Sequence, residues 1–137
     1  VIVCLENMPM KAHRISRIPM IARAVEQVNS PYVGICLDTG HCNVFGDDLG
    51  EMVRVCGKKL CVLHVHDNNG QSDQHLVPFF GTANWRSFTD ALRETGYDGV
   101  MSMECNGPSH ELPLPIRESM EHHIANIARY LADQSEA

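Results

Sequence analysis

The sequence predicts an α/β fold: half of a (β/α)8 TIM barrel, made of four parallel βα units. Three observations predict it. Four short apolar runs alternate with helical patterns, the runs are continuously apolar, and each ends in an acid or a histidine. Continuously apolar runs mark parallel strands buried on both faces. Strictly alternating β and α elements give a parallel sheet with right-handed crossovers. Polar groups at the C-terminal ends of several strands are the pattern of barrel active sites, and a full barrel takes about 250 residues. Four units in 137 residues therefore amount to half a barrel. A doubly wound open sheet accepts the same order, but it more often opens on a glycine-rich phosphate loop. Neither GxGxxG nor GxxxxGK[ST] occurs here.

The first strand is Val1–Leu5, ending at Glu6. Pro19 suits a first helical turn, and the helix it opens runs to Val28 before Ser30-Pro31 stops it. Tyr32–Leu37 is the second strand, ending at Asp38. Asp47 or Asp48 caps a helix to about Cys56, and Gly57 closes it. Leu60–Leu63 is the third strand, running into His64-Val65-His66-Asp67. Asn84 caps Trp85–Thr95, with Gly96 as its C-terminal glycine. Gly99–Met103 is the fourth strand, ending at Glu104. The last helix, about Ile116 to Leu131, carries an apolar stripe of Met120, Ile124, Ile127 and Leu131.

Composition narrows the function. Residues 1–137 read as a single partial-barrel domain, 44% hydrophobic and 20% charged, which is globular rather than disordered. The net charge is −6 and no Lys/Arg cluster occurs, which disfavours a nucleic-acid partner and leaves small neutral molecules and cations as ligands. No apolar run is long enough to span a membrane. The six cysteines form no CxxC pair, and Cys4, Cys36, Cys61 and Cys105 lie within or beside strand runs, so they read as free thiols in a cytoplasmic setting. The chain opens at Val1 already in strand-like sequence, and a piece of a longer product is the expectation.

Glu6, Asp38, His64 and Glu104 end four successive strands, and in a barrel those ends share one mouth. Three carboxylates and an imidazole form a hard, oxygen-rich set for a divalent cation such as Mn²⁺, Mg²⁺ or Co²⁺. The surrounding motifs come in order: Leu5-Glu6-Asn7, Leu37-Asp38-Thr39-Gly40-His41, Leu63-His64-Val65-His66-Asp67-Asn68, Asp73-Gln74-His75-Leu76, and Gly96-Tyr97-Asp98-Gly99 through Glu104. This run resembles the C-terminal half of the xylose-isomerase-like TIM-barrel superfamily, which holds sugar isomerases and epimerases and, more distantly, the endonuclease IV branch (AP endonuclease family 2). The resemblance covers nearly the whole chain and implies strands 5–8 of a barrel.

The resemblance further implies roles. Glu6, Asp38, His64 and Glu104 match the metal ligands, with Mn²⁺ the first expectation and Zn²⁺ also possible. Glu6 and Glu104 match the catalytic acid/base pair of the epimerases. His41 matches a residue that contacts substrate or a further metal. Asp73 and His75 match a pair that binds an extra zinc in the endonuclease branch, and they join the substrate-binding set here. His66 lies two residues beyond His64 on the same face and is placed beside the ligands, in the same substrate-binding set. His110, His122 and His123 match nothing and are expected at the surface. One departure stands out: Pro78-Phe79-Phe80-Gly81 replaces the family's Pro-Gly-x-Gly turn.

The implied activity is isomerisation or epimerisation of a small sugar or related ketose through an enediolate. Two alternatives remain. One is endonuclease-like phosphodiester hydrolysis, against which stand the acidic balance and Gln74, where that branch has an Arg. The other is an inactive half barrel that self-associates or waits for a missing N-terminal half, since its first and last strands leave unpaired edges.

Overall fold

A computed structural model describes residues 1–10, 16–105 and 111–136; His110 lies outside the described residues. Four strands form one sheet in the order β1-β2-β3-β4, all parallel. They are β1 (Val3–Glu6), β2 (Val33–Asp38), β3 (Leu60–Val65) and β4 (Val100–Met103). The helices are α1 (Ile18–Val28), α2 (Thr39–Val44), α3 (Leu49–Cys56), α4 (Trp85–Thr95) and α5 (Leu114–Glu136), with a 3-10 turn at Gly57–Lys59.

Local chemistry sets these bounds. Pro19 opens α1. Asp48 accepts a hydrogen bond from Glu51 N and caps α3; Asn84 does the same for α4 from Ser87 N. Gly96 ends α4 at φ 64°, a left-handed conformation cheap only for glycine. α1 ends at Val28, as expected. Asn29 takes the left-handed cap position at φ 44°, just before Ser30-Pro31. α2 was not expected. It is six residues long and begins at Asp38, whose side chain accepts from His41 N and spends the strand's last residue on a helix start.

The core lies between one face of the sheet and the helices. Ile35, Leu37, Leu63 and Val65 point into it from the strands, and Ile21, Val25, Val53, Phe88 and Leu92 meet them from the helices. The edge strands are different. The sequence reads all four strands as buried on both sides, but Val1, Ile2, Val3 and Val100 are exposed. Among the described residues β1 and β4 each have a strand neighbour on one side only. The stripe on α5 is covered in part: Leu131 is buried, Ile127 packs against the core, and Met120 and Ile124 are half-buried.

Candidate metal centre

The strand ends gather their polar groups at one rim. Glu6 closes β1 and Asp38 closes β2, where Asp38 lies opposite His64 in the β2–β3 register. Glu104 follows β4 and is tied back by its N–H to Val65 O at 3.0 Å. One ligand atom each from Glu6, Asp38, His64 and Glu104 lies within 4.8 Å of all the others. His64 Nδ1 sits 2.9 Å from Glu6 Oε1 and 3.2 Å from Glu104 Oε2, bridging the outermost strands. Three carboxylates therefore share a small volume with one imidazole, and among the described residues no Lys or Arg pairs with any of them. Mutual repulsion at that spacing favours a divalent cation, and the donor set is of the hard kind that suits one.

Asp38 belongs to this cluster and touches the histidines of a second one. It is 0% exposed, accepts from His41 N at 2.7 Å, and faces His66 Nε2 at 3.1 and 3.2 Å. Burial opposes its charge, yet the hydrogen bond and charge of His66, then His41, hold its pKa below the usual value. Burial likewise opposes the charge on His66, and Asp38 followed by Asp73 raises its pKa.

The second cluster is His41, His66, Asp73 and His75, again with ligand atoms within 4.8 Å of one another. His41 Nδ1 lies 2.7 Å from Asn7 O and His75 Nδ1 lies 2.8 Å from Glu104 O. A ring whose Nδ1–H is spent on a carbonyl presents Nε2 as a lone pair, the arrangement that orients metal-ligating histidines. Both Nε2 atoms face Asp73 Oδ2, at 3.2 and 3.4 Å. His66 stacks on His75 at 4.0 Å and is 0% exposed. The sequence set it among substrate contacts; the structure gives its ring no open surface. A Cβ at Gly40 would overlap that ring, so this glycine makes room for it.

Three further residues hold the rim, and only their place beside the strand ends marks them in the sequence. Asn7 accepts from Asp38 N at 2.8 Å and donates to Asp38 O at 2.9 Å, clamping β1 to β2. Thr39 accepts from His66 N and donates to His66 O, tying β2 to β3. Asp67 is fully buried and accepts from Phe79 N, Gly81 N, Ala83 N and Trp85 Nε1. It also pairs with Leu76 through both backbone groups, which sets the loop carrying Asp73 and His75. In that loop Phe79 stands at φ 75°, where a bulky residue is strained. His122 and His123 are exposed. All six cysteines are free. No described helix is long and apolar enough to cross a membrane.

Four parallel βα units with polar strand ends collected at one rim are half of a (β/α)8 barrel, of the class whose reactive groups sit at the C-terminal strand ends. The chain belongs to the xylose isomerase-like TIM barrel family, whose model matches residues 1–126. It is 36% identical over 103 residues to an uncharacterised protein of Methanocaldococcus jannaschii, covering 73% of this chain and 35% of that protein. It is 34% identical over 80 residues to a D-psicose 3-epimerase of Enterocloster bolteae, covering 58% and 25%. An inosose isomerase of Bacillus subtilis is 26% identical over 92 residues, covering 63% and 33%. Among solved structures, a D-tagatose 3-epimerase-like protein superposes with a TM-score of 0.68 at 26% identity, covering 95% of this chain and 49% of that one. A D-psicose 3-epimerase crystallised with D-fructose shows the same fold, with a TM-score of 0.75 at 18% identity, covering all of this chain and 50% of that one. The chain thus spans about half the length of these structures.

Proposed function

We propose that the chain supplies the cation-holding half of a sugar isomerase or epimerase. The observation that carries this is the convergence of Glu6, Asp38, His64 and Glu104 within 4.8 Å at the rim of a sheet whose relatives include a sugar epimerase and an inosose isomerase. A divalent cation, Mn²⁺ first, held by those four residues would polarise a ketose carbonyl and acidify the neighbouring C–H. Glu6 ends β1 and Glu104 follows β4, both against His64 Nδ1, and the two carboxylates serve as the acid/base pair. One takes the proton from carbon, leaving an enediolate, and the other returns a proton to the other face or the adjacent carbon. His64 keeps both carboxylates in place, and His41, Asp73 and His75 border the same opening to orient sugar hydroxyls. The substrate is a small sugar or related ketose. A second copy of the chain, or a separate N-terminal half, closes the barrel over it.

The test is solvent exchange. Wild type loaded with Mn²⁺ and offered a panel of ketoses in D₂O is expected to place deuterium on carbon next to the carbonyl, and Glu104→Gln to stop it. Cation binding with no exchange into any sugar would contradict the assignment.

The cluster of His41, His66, Asp73 and His75 favours one second reading, two-cation phosphodiester hydrolysis. Net charge −6 and Gln74 speak against a DNA substrate. Cleavage of an abasic oligonucleotide, absent in His75→Ala, would establish it over the sugar reading.

A further inference from the structure

One group at the rim has no part in the chemistry above. Cys36 stands two residues before Asp38 on β2, so its side chain shares Asp38's face, one layer deeper. In the β1–β2 register it is paired with Glu6. It is only 5% exposed. Among the described residues Cys36 Sγ makes no hydrogen bond, whereas the sulfurs of Cys42, Cys61 and Cys105 all do. One ligand atom each from Glu6, Cys36 and His64 lies within 4.8 Å of the others. Tetrahedral zinc ligands, at about 2.0–2.3 Å from the ion, stand roughly 3–4 Å from one another, so these three need only a small adjustment.

We propose that Cys36, Glu6 and His64 form a thiol-containing cation site beneath the oxygen-rich one, selective for thiophilic ions such as Zn²⁺ and Cd²⁺. A carboxylate, an imidazole and a thiolate are the donors a borderline-soft ion prefers, and Mn²⁺ or Mg²⁺ gains little from sulfur. On binding, a bond forms from sulfur to the ion and the thiol proton passes to water, one proton per ion. Glu6 and His64 belong to both sets. A thiophilic ion seated on Cys36 therefore excludes the hard cation, and the two compete for one chain. This inference rests on Glu6 and His64 being cation ligands, as proposed above.

Co²⁺ reports both kinds of site. The experiment titrates the whole chain with Co²⁺ and follows the near-ultraviolet thiolate-to-cobalt band, with Mn²⁺ binding measured separately by calorimetry. The expected result is a band that saturates at one Co²⁺ per chain, disappears on adding Zn²⁺, and is absent in Cys36→Ser. Zn²⁺ affinity should fall by more than about tenfold in that variant, while Mn²⁺ affinity changes little. Mn²⁺ binding with no thiolate band, or a band that survives Cys36→Ser, overturns the thiol site and leaves the four-residue site standing. Binding of no cation at all overturns both. If Cys36→Ser and Cys36→Ala both unfold, Glu6→Gln decides: loss of the thiolate band in that variant supports the site, and an unchanged band refutes the proposal.

Discussion

Asp38 and His66 show how much one buried pair can carry. Both side chains are 0% exposed, and each holds the other in its charged form. In the metal-free chain, the lowered pKa of Asp38 contributes stability that is present above its unfolded value of 3.8 and lost as pH falls through the native value. The raised pKa of His66 contributes stability that is present below 6.5 and lost as pH rises through its native value. The pair is therefore at full strength between 3.8 and 6.5. Urea midpoints of the metal-free chain should peak in that window and fall on the alkaline side, and the alkaline fall should vanish in His66→Ala. That variant breaks a buried ion pair and leaves Asp38 to His41 alone, at a cost of up to about 3–5 kcal/mol. Gly40→Ala should cost about 1–3 kcal/mol through overlap with the same ring, read from the same curves. The candidate ligands were legible in the sequence because each ends a strand. The burial of His66 was not, because it depends on Gly40 and His75, which stand 26 and nine residues away and meet it only in the fold.

At the scale of elements, punctuation residues were reliable guides. Asp48, Gly57, Asn84 and Gly96 bound α3 and α4 where a side-chain oxygen or a left-handed glycine predicts. Asp48 also accepts from Ser87 Oγ at 2.6 Å, linking the start of α3 to the first turn of α4. Asp48→Ala should therefore lose at least the roughly 1 kcal/mol of an N-cap. Asp48→Asn should keep most of it, and thermal unfolding of the two variants separates the cap from the charge. Helix α2 escaped notice because six residues carry too little periodicity and Asp38 already served as a strand end. The strand runs misled in one respect. Their two-sided apolar pattern fits a closed barrel, and among the described residues β1 and β4 have no outer strand neighbour and Val3 and Val100 are exposed.

That mismatch defines the molecule as a whole. A four-stranded parallel sheet with two free edges is a template for further strands, and two copies would supply the eight of a closed barrel. Sedimentation equilibrium should show a species of twice 15.3 kDa, dispersed by a charge placed at Val3 or Val100. A strict monomer would mean that closure needs the N-terminal half of the barrel. Either state leaves the rim intact, since Glu6, Asp38, His64 and Glu104 all come from one chain. The most direct test of that rim is calorimetric titration of wild type and Glu104→Gln with Mn²⁺, checked by elemental analysis. The account predicts about one ion per chain in wild type, with binding lost or severely weakened in the variant. Equal binding by both proteins, or none by either, would contradict a cation centre built from the four strand ends.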